Sequence, residues 1–215
     1  MLYNEELLLS LRESIKNDPE ISDKRRTHIL AVEQMATRLG SLFCPEKTDI
    51  LRAAALLHDV TKEYSVEKHT EIYRANGAEP TQDEIFAPKT LHAKTAAMII
   101  PLEYPDFADP EVISAVRWHT TGHAGMTLTE KLIYLADYID ESRKFEDCVI
   151  LRNAFFEANP DKMDMTAKLA HLRDILITSY NMTVSALLRE ERPISPDTVF
   201  ALNELICDKI KEEQK

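Results

Sequence analysis

Glycine is scarce in this chain, and its scarcity removes two common nucleotide-binding architectures from consideration. Only 4 of the 215 residues are glycine, about a quarter of the usual share of roughly 7%. The four glycines form neither a G-x-G-x-x-G nor a G-x-x-x-x-G-K pattern, in which glycine lets the backbone approach phosphate groups closely. A Rossmann-type or P-loop nucleotide site is therefore excluded.

The chain also has few cysteines and lacks long apolar runs. Its 3 cysteines, Cys44, Cys148 and Cys207, are widely spaced and form no C-x-x-C pair, which is typical of a reducing compartment rather than a disulfide framework. The N-terminal segment MLYNEELLLSLRESIK mixes apolar and charged residues, unlike a signal peptide. No apolar run approaches the length of about 18 residues that a membrane span needs. We therefore expect a soluble, cytoplasmic protein.

Positive charge is outnumbered by negative charge. The 26 Lys and Arg residues face 37 Asp and Glu residues, and the formal net charge is −11. General nucleic-acid binders and anionic-membrane binders draw their affinity from clustered Lys and Arg. The charge balance therefore argues against both kinds of partner. The length is compatible with a single domain over residues 1–215.

Apolar residues recur at three- and four-residue intervals along almost the whole chain, and convincing period-two alternation is absent. This pattern predicts an all-α fold, a compact bundle of eight to ten helices. The helices are expected near residues 4–16, 22–40, 48–57, 65–76, 90–100, 110–119, 128–141, 149–157, 161–188 and 196–211. Gly40 and Pro101 are expected to end two of them. Thr127-x-x-Glu130 has the pattern of a capping box.

A series of histidines and aspartates supplies the candidate chemistry. In chain order these are His28, His58, Asp59, His92, His119 and Asp137. Imidazole and carboxylate groups suit Fe, Mn, Co, Ni and Zn. An adjacent His-Asp pair allows the carboxylate to bridge two metals while the histidine binds one of them. Because His58-Asp59 directly follows an apolar run, its carboxylate is expected to be buried, where it needs a partner such as a metal ion.

Each of these residues, taken alone, also fits a simpler structural interpretation. A lone His-Asp dipeptide occurs by chance in many chains, and the other four residues fit solvated positions at helix ends or beside a core stripe. His69 and His171 have no partner in the series and are expected at the surface or on a helix face. Trp118 fits core packing better than base stacking.

The sequence around the series resembles the HD-domain metal phosphohydrolases. The matching segments are AALLHDVTK (54–62), the preceding R-x-x-H (25–28) and the following LHA (91–93). The block WHTTGHAGMTLTEKLIYLADYIDESR (118–143) is similar to one subfamily, the YqeK-type symmetrical diadenosine-tetraphosphate hydrolases. PDT (196–198) with Asn203 also resembles this subfamily. The resemblance covers about residues 25–203, nearly the whole chain.

The resemblance implies a helical HD-type fold with a metal core at about 23–143 and additional C-terminal helices at about 149–211. It also implies hydrolysis of diadenosine tetraphosphate to two ADP by a two-metal centre that activates water. By position, one metal would be held by His28, His58 and Asp137, the second by His92 and His119, and Asp59 would bridge them. The metals are usually iron, with Mn, Co, Ni or Zn as alternatives.

The resemblance further implies which residues handle the phosphates. They are Arg25, Lys62, Arg143 and the loop residues Thr120, Thr121 and Gly122, with Lys62 and Asp59 also acting in catalysis. Metal ions and basic side chains concentrated at one site would let an acidic protein accept a highly anionic substrate. The chain departs from the common I-E-P-x-R pattern: Asp140 or Glu141 adds an acid beside Arg143, which is expected to weaken phosphate binding.

Several alternatives stay open at this stage. A metal site alone does not separate this reaction from that of another HD-type nucleotide phosphohydrolase or phosphodiesterase, or from a nucleotide-binding regulator with little turnover. His123 fits either an exposed loop residue or a proton donor to the leaving phosphate. The three basic residues also fit solvated positions. The adenosine pocket and the choice between monomer and homodimer are not determined by the sequence.

Overall fold

Helices and short turns make up residues 2–214, the part of the chain that the computed structural model describes, and no β-strand occurs in that range. The helices are α1 (Glu5–Asn17), α2 (Asp23–Phe43), α3 (Thr48–Leu57), α4 (Val66–Ala75), α5 (Gln82–Phe86), α6 (Leu91–Glu103), α7 (Pro110–Trp118), α8 (Leu128–Ile139), α9 (Glu146–Glu157), α10 (Met165–Arg189) and α11 (Pro196–Glu213). The all-α prediction is confirmed. The helix α5 was missed because its five residues are too few to show a 3.6-residue period.

Most helices begin where capping residues predict. The side chains of Ser22, Ser65 and Asp109 each accept a hydrogen bond from a backbone N–H in the first turn of α2, α4 and α7. At the start of α8, Thr127 and Glu130 form the predicted capping box, in which the Thr127 N–H donates to the Glu130 carboxylate over 2.6 Å. These contacts satisfy N–H groups that helix geometry leaves without a partner, so they fix where each helix starts.

Two predicted helix ends are wrong. The helix α2 continues past Gly40 to Phe43. A Cβ on Gly40 would lie 2.8 Å from Cδ1 of Leu51, so this glycine allows α2 and α3 to approach closely and does not end a helix. Pro101 lies inside α6, which ends at Glu103. A proline so near the end removes one N–H donor, and the helix completes its last turn without it.

The centre of the fold is the pair α2 and α3, against which α7 and α8 also pack. Residues 53–57 of α3 are fully buried, and burial of a leucine such as Leu56 or Leu57 contributes about 1.5–3 kcal/mol. The chain leaves α3 directly at His58-Asp59, which are also buried. The apolar run therefore delivers a histidine and a carboxylate to the interior of the protein.

The C-terminal helices cover α8. Helix α10 packs against α8, α9 and α11. Tyr134 of α8 stacks on Tyr180 of α10 with ring centroids 4.7 Å apart, and both rings are buried. Between residues 2 and 214, no helix combines the length and the apolar character that a bilayer-spanning segment requires.

His69 is buried on the inner face of α4 rather than at the surface. Its Nδ1 lies 2.8 Å from Oγ1 of Thr95, which in turn lies 3.0 Å from Oγ1 of Thr61. Thr61 donates a hydrogen bond to the backbone carbonyl of His92 over 2.9 Å. A chain of buried polar contacts therefore connects α4 to the start of α6.

This position makes stability depend on pH. Burial, together with the charges of Lys62 and Lys68, lowers the pKa of His69 to about 4. The unfolded chain, with a histidine pKa of about 6.5, binds this proton more readily. The contribution of His69 to stability is therefore full above pH 6.5 and falls by about 3 kcal/mol towards pH 4. Urea unfolding of the metal-free protein across this range measures the loss. His69→Asn, which keeps the hydrogen bond but does not titrate, should flatten it, and an unchanged pH slope would contradict the assignment.

Candidate metal centre

Six side chains of the predicted series converge at one place in the core. They are His28 on α2, His58 and Asp59 directly after α3, His92 in the first turn of α6, His119 directly after α7, and Asp137 on α8. Five of the six are buried, and Asp137 is half-buried. The interpretation of these residues as separate solvated side chains is therefore wrong.

One half of the cluster brings together His28, His58 and Asp137. Nε2 of His28 lies 2.9 Å from Oδ1 of Asp137 and 3.4 Å from Nε2 of His58. Oδ2 of Asp59 lies 3.5 Å from Nε2 of both histidines. Four ligand-type atoms therefore surround one small volume.

The other half brings together His92 and His119. Their Nε2 atoms lie 2.9 Å apart. Oδ1 of Asp59 lies 3.1 Å from Nε2 of His92 and 3.7 Å from Nε2 of His119. The two oxygens of the Asp59 carboxylate thus face different halves of the cluster.

Backbone contacts fix the orientation of three of these rings. In His58, His92 and His119, Nδ1 lies 2.6–2.8 Å from the backbone carbonyl three residues earlier. A carbonyl oxygen can only accept, so in the neutral form of each ring the proton is on Nδ1 and the lone pair on Nε2 points into the cluster. Two inward lone pairs 2.9 Å apart repel each other unless a cation lies between them.

The donor set fits a divalent metal. Two atoms bound to one ion at about 2.0–2.1 Å, with an angle of about 90–110° between them, are about 2.9–3.4 Å apart. The pairs His92–His119 and His28–His58 have separations of 2.9 and 3.4 Å. Among the described residues, Oδ1 of Asp59 has no hydrogen-bond partner although it is buried. Such an atom is costly unless it binds a cation.

The charges of the cluster favour the metal-binding forms of Asp59 and His92, whereas His58 must release a proton when a metal binds. Burial tends to lower the pKa of His58, but Asp59 and Asp137 outweigh burial and raise it to about 9. Burial and the charge of Lys62 lower the pKa of His92 to about 3. Although burial opposes ionisation of Asp59, the charges of His58 and Lys62 hold its pKa well below the usual range. At neutral pH the carboxylate is therefore ionised and His92 is neutral, as ligands must be.

The three predicted basic residues also lie at the cluster. Arg25 forms an ion pair with the Asp59 carboxylate, and Nη2 of Arg143 lies 2.5 Å from Oδ1 of Asp137. Nζ of Lys62 lies 3.1–3.2 Å from both ring nitrogens of His92. Their interpretation as solvated surface cations is wrong, because each contacts a residue of the series.

Comparison with protein-family models identifies the family of this chain. The model of the HD domain matches residues 25–142, more than half of the chain and the whole span of the cluster. The chain belongs to the HD domain family. An HD domain implies a divalent-metal centre, and the His/Asp cluster is the candidate for it here.

Relatives of this HD domain extend the similarity to nearly the whole chain. A curated protein of Halalkalibacterium halodurans named bis(5'-nucleosyl)-tetraphosphatase, symmetrical, is 30% identical over 88% of this chain and 93% of its own length. Proteins of the same name from Bacillus subtilis and Staphylococcus aureus are 30% and 32% identical over 87% and 78% of this chain, and over 92% and 87% of their own.

A solved structure matches this chain at a similar level of sequence identity. It is a Clostridium acetobutylicum protein described as a predicted HD superfamily hydrolase involved in NAD metabolism. The two chains superpose with a TM-score of 0.78 at 29% identity, over 93% of this chain and 96% of that chain. The fold and the family therefore agree from two independent comparisons.

The loop after His119 turns sharply at the cluster. Oγ1 of Thr120 lies 3.2 Å from Nε2 of His92, whereas the buried hydroxyl of Thr121 donates to the carbonyl of Gly122 over 3.0 Å. Gly122 has a φ of +63°, a conformation that favours glycine. Of the two predicted hydroxyls, that of Thr120 is thus the one directed at the cluster.

His123 points away from the cluster. Its ring packs on Trp118 with centroids 4.5 Å apart, and its Nε2 lies 3.3 Å from the carboxylate of Glu130. Glu130 is held by Ser114 and by the capping box of α8. These contacts favour a structural role for His123 within the loop over proton donation.

The two acids beside Arg143 have different surroundings. Glu141 is exposed, and its carboxylate lies 3.5 Å from Nε of Arg152. Asp140 is fully buried, with Oδ2 at 3.2 Å from Nδ1 of His28 and 3.3 Å from Nε of Arg143. Sequence reasoning treated Asp140 as an added acid near the phosphates and missed its contact with His28. Its spacing of three residues from Asp137, which places both on one side of α8, is the signal that could have found it.

A cavity of about 270 Å³ opens beside the cluster. Its wall includes the site residues Lys62, His119, Thr120, Thr121, Asp137 and Arg143, the cations Lys89 and Arg192, and the apolar or aromatic residues Tyr134, Tyr138, Leu187 and Pro193. Residues of α10 and of the segment before α11 thus complete a cavity whose inner end is the HD cluster. The cavity can accommodate an anionic group near the cluster and an apolar group farther out.

Proposed function

We propose that this HD domain hydrolyses diadenosine tetraphosphate symmetrically to two ADP. The observation that carries the proposal is the position of Asp59, whose two carboxylate oxygens face two histidine groups at the end of a cationic cavity. The names of the three curated relatives support the substrate and the symmetric cleavage. The three cysteines, which are free within residues 2–214, support action in the cytoplasm.

The cluster would hold two divalent ions. His28, His58 and Asp137 would bind one, His92 and His119 the second, and Asp59 would bind both. We infer iron as the metal from the family resemblance, and imidazole and carboxylate ligands also accept Mn, Co, Ni or Zn. Such ions lower the pKa of a bound water from about 15.7 towards about 7 and offset negative charge on phosphoryl oxygens.

The basic side chains would bind and orient the tetraphosphate. Lys62 and Arg143 line the cavity, and Arg25 reaches the Asp59 carboxylate from α2. Charge that develops on the phosphoryl oxygens during attack is stabilised by such fixed cations. The hydroxyl of Thr120, next to His92, is available to donate a hydrogen bond to a phosphate oxygen. The protein thereby offers a local positive site in spite of its net charge of −11.

The outer wall of the cavity would bind one nucleoside. Tyr138, Leu187 and Pro193 offer apolar and aromatic surface there, and Lys89 and Arg192 add positive charge. Aromatic faces stack favourably on nucleic-acid bases. Release of two ADP requires that the reacting phosphorus is one of the two central atoms of the tetraphosphate, so that each half keeps two phosphates.

A panel of nucleotides tests the proposal. The purified protein, supplied with Fe²⁺ or Mn²⁺, should hydrolyse diadenosine tetraphosphate faster than diadenosine triphosphate, nucleoside monophosphates or cyclic nucleotides. Faster hydrolysis of a monophosphate or a cyclic nucleotide would favour a different HD-type phosphohydrolase. Tight nucleotide binding with almost no turnover on any member of the panel would favour a regulator.

Lys62 provides a test of the phosphate-binding assignment. Burial lowers the pKa of its ammonium group, yet the group lies beside two site carboxylates. We expect Lys62→Met to lower kcat about 10–100-fold, because a cation next to the phosphates is lost. Bound metal, measured by elemental analysis, should not fall, because Lys62 repels a neighbouring metal ion. Lys47→Met, which removes an ammonium paired with Glu111 elsewhere, is the matched control. Equal turnover in the two variants would contradict the role of Lys62.

A further inference from the structure

His28 is oriented differently from the other three histidines of the cluster. His58 and His119 directly follow helices, and His92 lies in the first turn of one, where backbone carbonyls are available to accept the Nδ1 proton. His28 lies within α2, and carbonyls in a helix interior already accept backbone hydrogen bonds. Its Nδ1 therefore needs a partner from another element.

The nearest candidate is a carboxylate oxygen that has no hydrogen-bond partner among the described residues. Oδ2 of Asp140 lies 3.2 Å from Nδ1 of His28, and the Asp140 side chain is fully buried. The hydroxyl of Ser142 is the other polar group near this nitrogen, at 3.4 Å. Because an ionised carboxylate accepts and does not donate, Asp140 favours a proton on Nδ1 of His28, which leaves Nε2 as the nitrogen that can bind a metal. In the metal-free ring Asp137, 2.9 Å from Nε2, competes for a proton on that side.

The carboxylate is itself held in place. Oδ1 of Asp140 accepts a hydrogen bond from the N–H of Ser142 over 2.8 Å and another from the Ser142 hydroxyl. Nε of Arg143 lies 3.3 Å from Oδ2. Arg152 of α9 donates to the carbonyls of Ile139 and Asp140 over 3.3 and 2.6 Å. The turn after α8 is thus fixed from two sides, and it presents Asp140 to His28.

We propose that Asp140 is a positioning residue that sets the tautomer of His28 and so enables it to bind metal through Nε2. Through His28, Asp140 supports the half of the cluster formed with His58 and Asp137. The inference rests on the proposed function to the extent that it assumes a metal at this cluster. Substitution of a residue that hydrogen-bonds a metal-ligating histidine typically weakens metal affinity 10–100-fold.

The proposal predicts an unusual order among variants. In Asp140→Asn the side-chain oxygen can still accept from Ser142, while the amide N–H₂ faces His28 and favours the ring proton on Nε2, where it blocks metal binding. In Asp140→Ala the ring is free to choose either tautomer, and the Ser142 hydroxyl can accept the Nδ1 proton. A positioning role therefore makes Asn the more damaging change for metal binding, whereas a structural role makes Ala the more damaging one.

Mn²⁺ titration followed by electron paramagnetic resonance of the free ion measures the effect. Relative to the full-length wild-type chain, Asp140→Asn should weaken Mn²⁺ binding about 10–100-fold, and Asp140→Ala should weaken it less. Glu141→Gln, which removes the exposed neighbouring acid, should bind as the wild type does. Thermal unfolding of the metal-free variants checks that Asn is folded at least as stably as Ala. Wild-type affinity in Asp140→Asn, or weaker binding in Asp140→Ala than in Asp140→Asn, would overturn the proposal.

A second readout does not depend on metal. Nitrogen-15 NMR of the metal-free protein, labelled at histidine and recorded at a pH high enough to keep the rings neutral, reports the tautomer of His28 directly. Because Asp137 also faces His28, on the Nε2 side, the spectra are compared in an Asp137→Ala background. We expect the proton on Nδ1 in that background and on Nε2 when Asp140→Asn is added, and the same tautomer in both would overturn the proposal. If the wild type binds neither Mn²⁺ nor Fe²⁺, the proposed function fails, while this spectrum still decides the role of Asp140.

Discussion

Replacement of Asp59 by alanine is expected to reduce hydrolysis about 10³-fold or more and to lower the amount of bound metal. Asp59 has one carboxylate oxygen 3.1 Å from Nε2 of His92 and the other 3.5 Å from Nε2 of His28 and His58. Its loss removes a ligand from both halves at once, and effects of this size are usual when one member of a catalytic unit is removed. Turnover and elemental analysis of the purified variant provide the two measurements.

The helical fold should survive this change. Asp59 follows α3 and does not belong to a helix, and the variant also loses the cost of burying a charge. Circular dichroism should therefore remain close to that of the wild type. Asp49→Ala is the matched control: this buried acid, in the first turn of α3 and so at the opposite end of that helix from His58, accepts a hydrogen bond from the N–H of Tyr3 over 2.7 Å. The control should lose stability but keep its metal, and substantial turnover in Asp59→Ala would contradict the shared-ligand role.

Substitution of Gly122 by alanine is expected to destabilise the protein by about 2–4 kcal/mol and to reduce turnover. A Cβ on Gly122 would lie 1.9 Å from Oη of Tyr180 and 3.0 Å from Sδ of Met126. The residue also has a φ of +63°, which an L-residue adopts at a cost of about 1 kcal/mol. Either the loop or α10 must move, and the loop carries Thr120 beside His92. The melting temperature should fall by on the order of 10 °C.

Gly125 in the same loop supplies the control. It also has a positive φ, of +78°, but no described atom lies within 4 Å of the Cβ it would gain. Gly125→Ala should therefore cost about 1 kcal/mol and leave turnover nearly unchanged. Adding Tyr180→Phe to Gly122→Ala removes the hydroxyl in closest contact and should restore part of the lost stability. Equal melting temperatures for Gly122→Ala and Gly125→Ala would show that the contact with Tyr180 is not what fixes the loop.

The sequence predicted the fold class and most helix starts because both depend on local information. Three- and four-residue periodicity is a property of each helix alone, and a capping side chain such as Ser22 or Asp109 acts within one turn. The ends of α2 and α6 depend instead on what packs against them. Gly40 is required by Leu51 on the next helix, a fact that no local pattern contains.

In the candidate site, too, some features could be predicted from local sequence and others depend on packing. The six residues of the series could be named from their motifs, and the family resemblance also implied their division into two groups about Asp59. The distances between the ligand atoms, however, depend on how five separate helices pack and could not be predicted from the sequence. The contact of Asp140 with His28 and the burial of His69 on its helix face were not foreseen, because each residue obtains its partner from a distant helix: His28 on α2 for one and Thr95 on α6 for the other. A buried polar residue is recognised by its partner, and the partner of each lies at least 26 residues away.

The net negative charge of the chain does not prevent one cavity from being rich in positive charge. A net charge of −11 describes the average surface, whereas the cavity wall contains Lys62, Lys89, Arg143 and Arg192 next to the cluster. Two of the four glycines, Gly122 and Gly125, lie in the loop after His119, and both have a positive φ. The sharp turn of this loop is thus built without any Gly-rich motif.

The nucleotide products of diadenosine tetraphosphate hydrolysis test the central claim most directly. Anion-exchange chromatography of a reaction with the metal-loaded protein should reveal ADP as the sole nucleotide product, with two ADP formed for each substrate consumed from the earliest time point. This result is expected if the reacting phosphorus is one of the two central atoms. Formation of AMP and ATP in equal amounts would contradict symmetric cleavage at this centre.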